Sequence, residues 1–371
     1  VTASEFDSYR PPEPPRRRRR DRDRRSKGGA GSWFKRGGDG AREMPVVPDA
    51  EVEPYTSYYG RPVVKAPPWK KEIALYLFLG GVAGGSALLA LGGQVTDRTA
   101  LRRNGRLAAL GAAGAGSLAL ITDLGRPERF LNMLRTIKPT SPMSLGSWVL
   151  AAFSTCAGVA AAAEVDELTA ERLPLGPLRA VLRTTAPVAG AGAGLLGAPL
   201  AGYTAVLLSD TAVPTWNAVR EDLPFVFVSS ASLAASGLAM ITTPVAQAGP
   251  ARALAVMGAV GELVAQNVME RRADHVAAEP LHQGRPGRML SWSERLVVAG
   301  GLGTLLAGRR RWAAVLSGAA LLTSSALTRF GVFYAGLESA KDPRYTVEPQ
   351  RRRLEARRAA GQTGDSITTA G

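Results

Sequence analysis

Glu262, Gln266 and Glu270 recur at intervals of four within an otherwise apolar run. On a helix they share one face. An ionisable group inside a bilayer is costly, so Glu262 needs a reason to be there. Two readings stand. The stripe is a path for protons or water that descends toward a polar face. Alternatively it is a contact between helices, with Glu262 kept neutral by its burial.

A second set gathers near the ends of other apolar runs. Tyr76 lies about one turn inside the first run, and Tyr203 between one and two turns inside the fourth. Asp123 and Arg126 close the second run. If these ends meet at one face, two phenols, a carboxylate and a guanidinium converge. A quinone head suits such a place. Its carbonyl oxygens accept hydrogen bonds, and its reduction takes up protons. A phenol donates, a carboxylate relays the proton, and an arginine stabilises the anionic form. The alternative is an aromatic belt with interfacial salt bridges.

Both sets need helices of membrane length to position them, and the composition supplies these. The first ~65 and last ~30 residues of the 371 are polar and basic, while the middle is rich in Ala, Gly, Leu and Val. Runs of about 20 apolar residues recur through that middle, enough to cross a hydrocarbon core. Eight spans are expected, at about 72–94, 106–123, 144–164, 185–208, 223–246, 250–270, 290–308 and 312–336. The expected class is therefore all-α: a polytopic integral membrane protein with eight transmembrane helices in two packed bundles and disordered basic termini. Three regions follow: a basic arm over 1–68, a membrane domain over 69–340 and a basic tail over 341–371.

Within the arm, SYYGRPVVKAPPW (57–69) is aromatic and Pro-punctuated. It reads as an extended docking segment, or as an interfacial anchor with Trp69 at the headgroups. An even number of spans puts both tails on one side. Lys65, Lys70, Lys71, Lys341 and Arg344 flank the first and last spans, so both termini are expected in the cytoplasm. No apolar h-region follows the early basic block closely, so no secretory signal is expected there.

The net charge of +15 is concentrated in the tails. RRRRRDRDRR (16–25) lacks interleaved aromatics, so a nucleic-acid partner is not expected, whereas a lipid bilayer is. The lone Cys156 cannot hold an iron–sulfur cluster by itself. His275 and His282, the two histidines, fall in a polar connection, so bis-histidine haem ligation within the membrane is not expected. No metal site is expected. GGVAGG (80–85) and AGAGAGLLGAPLAG (189–202) place small residues at helix-packing spacing. They read as close helix contacts, or as a flat gap that admits a planar ring.

The connection between the second and third runs carries the most specific pattern, LGRPERFLNML (124–134) followed by KPTSPMSLGSW (138–148). Gly125 and Pro127 can stop the second span there. With W-x-x-x-IALYLFLGGVAGG (69–85), GYTAVLLSDTAVPTW (202–216), FVFVSSA (225–231) and VMERR (268–272), this connection resembles the NrfD/polysulfide reductase membrane-subunit family over roughly 69–345. The resemblance implies an eight-helix subunit without haem or an iron–sulfur cluster of its own. It implies an exchangeable quinone, usually menaquinone. It implies two partners: a four-cluster ferredoxin-like iron–sulfur subunit and a molybdopterin catalytic subunit of formate dehydrogenase-like or polysulfide reductase-like type. By motif, Asp123, Arg126 and Tyr203 fall on the quinone site, and Tyr76 falls where some members carry a pocket histidine. Arg129, Arg135, Lys138 and Trp216 are expected to dock the partner. Glu262 has no such motif match. A transport protein centred on Glu262, and a structural anchor with a lipid-binding arm, are the alternatives.

Overall fold

The computed structural model describes residues 62–361 apart from 125–127, 129 and 136, with only the backbone at 131. The described residues form helices and no strand. Eight of these helices are long: α1 (Lys71–Val95), α2 (Thr99–Asp123), α4 (Pro142–Leu168), α5 (Leu178–Ser209), α7 (Leu223–Thr242), α8 (Gly249–Arg272), α10 (Gly284–Ala307) and α11 (Arg311–Ser339). Each coincides with one of the expected spans. Short helices α3 (Phe130–Met133), α6 (Pro214–Ala218) and α9 (His275–His282) sit in connections, and α12 (Arg344–Ala359) follows the last long helix.

Six of the eight long helices are long and apolar enough to cross a membrane. The others are α8 and α10. Both carry polar groups on their inner faces and charges near one end, such as Arg271, Arg272, Arg285 and Arg288. Their outward positions are apolar all the same: Met257, Val260 and Val264 on α8, and Val298, Leu302 and Leu306 on α10.

α1, α2, α4 and α5 pack together, as do α7, α8, α10 and α11. The two groups meet where α1 and α5 touch α7, and where α1 touches α11. Glycine sets the approach. A Cβ at Gly84 would overlap the carbonyl of Gly197, and the reverse also holds, so α1 and α5 cross in backbone contact. Gly237 and Gly318 do the same for α7 and α11. At these crossings the small residues serve close packing.

Two ion-pair groups fasten the end of the first bundle opposite the start of α1. Glu164 accepts from Arg102 Nε at 2.8 Å and from Arg106 Nη1 at 2.9 Å. Asp166 accepts from Arg179 Nε at 2.9 Å.

One expectation needs correction. The sequence predicts a disordered tail, yet Arg344–Ala359 is helical. Arg351 with Glu355 and Arg352 with Glu348 form i,i+4 pairs that support it, and Pro349 is buried against the body. The arm before 62 and the residues after 361 lie outside the described residues. The final part of the 57–69 segment is extended, and its Trp69 stacks on Trp216 at 5.8 Å. It therefore docks on its own chain.

Candidate functional site

Tyr76, Asp123 and Tyr203 line one cavity of about 70 Å³. They come from α1, the last residue of α2, and α5. The walls include Trp69, Leu120, Met133, Met143, Ser147 and Leu150. Local sequence explains the convergence. α4 presents Gly146, and a Cβ there would overlap the Tyr203 ring. At Gly146 the planar ring that lies on a glycine is the protein's own. Gly116 on α2 leaves room beside the Tyr76 ring, whose Cδ2 lies 3.6 Å from where a Cβ would stand. Asp123 Oδ1 accepts from the backbone N–H of Lys70 at 3.3 Å, tying the entry to α1 against the end of α2.

This arrangement puts two phenol donors and one carboxylate around a mostly apolar space. A cavity of about 150 Å³ takes up benzene, so a ring enters this smaller one only when the walls give. Met133 and Met143 are flexible walls suited to that movement. Arg126 lies outside the described residues, as does Arg129.

A second polar centre lies deep between α8 and α11. Glu262 is fully buried. Its Oε1 accepts from Thr328 Oγ1 at 2.6 Å and from Gln266 Nε2 at 3.2 Å. Thr328 also meets Ser293 Oγ of α10 at 2.6 Å, and Ser293 donates to the Ser324 carbonyl at 2.9 Å. A crevice of about 60 Å³ is lined by Thr328, Gln266, Glu270, Glu294 and His282. The structure therefore joins Glu262 directly to Gln266, and places Glu270, which is exposed, on the wall of the same crevice.

Arg329 is the residue that sequence reasoning missed. It sits inside the eighth span and is fully buried. A guanidinium inside a bilayer is as costly as the Glu262 carboxyl. Its Nη1 donates to Thr204 Oγ1 at 2.9 Å and its Nη2 to the Phe227 carbonyl at 2.5 Å. Its guanidinium carbon lies 3.9 Å from the Phe227 ring centroid.

Of the expected docking residues, Arg135 and Lys138 are exposed. Trp216 is a correction. It is fully buried, donates from Nε1 to the Val332 carbonyl at 2.8 Å, and packs on Trp69, Phe333 and the backbone of Gly336. Placed in a connection it looked like a surface anchor, but its indole is core.

A wider apolar groove of about 600 Å³ opens between α7 and α8, walled by Phe225, Val228, Val264 and Val268. It has no phenol, and its polar end is the Arg272–Asp222 ion pair at 3.2 Å.

The family profile described as "Polysulphide reductase, NrfD" matches residues 63–263. The chain belongs to the NrfD family. NrfD proteins are multi-pass membrane subunits of quinone-reactive oxidoreductase complexes, and they generally partner with iron–sulfur and molybdenum catalytic subunits. The matched segment holds the whole tyrosine cavity and ends one residue past Glu262. Ser293, Thr328 and Arg329 lie beyond it. A search of curated proteins gives no match.

Proposed function

We propose that this NrfD-family chain binds a quinone, menaquinone or a relative, at the Tyr76–Asp123–Tyr203 cavity and passes electrons between the quinone pool and an iron–sulfur subunit. The observation that carries the reading is the convergence of those three side chains from α1, α2 and α5 on one cavity. The phenols would hold the carbonyl oxygens, and Asp123 would exchange the proton with the polar face. Arg126, in the adjoining connection, is assigned to the anionic form of the head. Arg129, Arg135 and Lys138 are assigned to docking a four-cluster ferredoxin-like subunit, which in turn carries a molybdopterin enzyme. Both termini are assigned to the cytoplasm. The charged connection between α2 and α4 then serves two tasks at one place, holding the partner and forming the mouth of the quinone site.

The test compares two activities of the purified complex, one with quinone and one with a soluble dye that accepts electrons from the iron–sulfur partner. Tyr203→Phe and Asp123→Asn should lose quinone turnover and keep both dye turnover and subunit composition. Wild-type quinone turnover in the double variant would overturn the reading.

A second reading, proton translocation centred on Glu262, Gln266 and Glu270, is favoured by the buried carboxyl and its crevice. It predicts a pH-jump signal from liposomes holding this chain alone, where the quinone reading predicts none.

A further inference from the structure

Glu262 and Arg329 are both fully buried, and each keeps one polar atom without a partner: Oε2 of the carboxyl and Nε of the guanidinium. Once Glu262 loses its proton, that oxygen is an acceptor and complementary to the leftover N–H donor. Neither is idle for lack of neighbours. Arg329 directly follows Thr328, which donates to Glu262, yet its Nη atoms are spent on Thr204 and Phe227. A guanidinium held away from a buried carboxyl keeps its charge without an ion-pair partner, which is costly inside a bilayer.

The connectivity shows what the alternative would link. Thr204 is the residue after Tyr203, and Thr328 is the residue before Arg329. The chain of contacts therefore runs from Tyr203 to its neighbour Thr204, through 2.9 Å to Arg329, to its neighbour Thr328, and through 2.6 Å to Glu262. Two hydrogen bonds and two peptide links separate the tyrosine cavity from the buried carboxyl.

We propose that Arg329 is a positioning residue that couples occupancy of the tyrosine cavity to the charge on Glu262. This rests on the quinone reading of that cavity. A ring that presses on Tyr203 shifts Thr204 and loosens its hold on Arg329, whose guanidinium then turns toward Oε2 of Glu262. The carboxyl gives up its proton to the crevice toward Glu270, Glu294 and His282. The other groups facing Glu262 are uncharged: Gln266 on its own helix, Thr328 of α11, and Ser293 of α10 behind Thr328. Because coupling of this kind is reciprocal, the charge on Glu262 changes ring affinity by the same factor.

The experiment is infrared difference spectroscopy of the full chain, purified with the subunits that accompany it, on adding oxidised menadione without turnover. The wild type should show a carboxylic C=O band that Glu262→Gln abolishes and that weakens when menadione binds. In Arg329→Gln the band should stop responding, and Arg329→Lys, which keeps the charge, should restore part of the response. Thr204→Val removes the hydrogen bond with little change of volume. It should bind menadione and lose most of the response, and it carries the test if the arginine variants fail to accumulate. An unchanged response in Thr204→Val or Arg329→Gln would overturn the proposal. So would a silent Glu262 band in a wild type that binds menadione, which leaves the quinone reading standing. A wild type that binds no menadione would overturn both.

Discussion

The Tyr203 ring lies against the backbone of Gly146, so close that a single added carbon would occupy its place. One glycine on α4 thus sets the position of a phenol on α5. Gly146→Ala should displace the ring while leaving the helices in place. Quinone turnover should fall roughly 10- to 100-fold, the scale of a displacement of about 1 Å at a reacting centre. Dye turnover should hold, which separates loss of the site from loss of the complex.

Trp216 should behave as core. Trp216→Ala is expected to destabilise the protein by about 3–5 kcal/mol, read as a lowered unfolding midpoint in mild detergent. Subunits that remain folded should still co-purify with their partners. Loss of partners at an unchanged midpoint would return Trp216 to the docking surface.

Glu164 holds two arginines, and Arg106 is itself buried. Glu164→Gln leaves that guanidinium uncompensated and should destabilise by roughly 3–5 kcal/mol. The cluster lies at the far end of the bundle from the tyrosine cavity, so the quinone KM of the surviving protein should be unchanged. Detergent unfolding and quinone kinetics on the same preparation check both halves.

α8 and α10 are expected to cross the membrane with the other six. With Cys156 replaced by serine, single cysteines at Gln283 and Arg310 bracket α10. A membrane-impermeant thiol reagent should reach them from opposite sides. Labelling of both from one side would leave α10 on the surface.

Much of this was legible in the sequence, for identifiable reasons. Long apolar runs broken by charge gave all eight long helices, because lipid demands both length and apolarity. Counting turns from the helix ends brought Tyr76, Asp123 and Tyr203 to one depth, and the structure brings them to one cavity. Arg329 was legible only as a costly charge within the eighth span; its place depends on tertiary contacts with Thr204 and Phe227. Trp216 was misread because whether an aromatic in a connection faces inward depends on tertiary contacts, here Trp69, Phe333 and Gly336. The helix over Arg344–Ala359 was hidden by its charge, since a high net charge suggests disorder while i,i+4 pairs support helix locally.

The central claim is that the ring binds among Tyr76, Asp123 and Tyr203. The most direct measurement is photolabelling of the purified complex with an azido-quinone, followed by peptide mapping. The account predicts label on the cavity walls, at Met133, Met143 or Tyr203, and competition by unlabelled quinone. Competable label confined to Phe225, Val228, Val264 and Val268 would place the ring in the groove between α7 and α8 and contradict it.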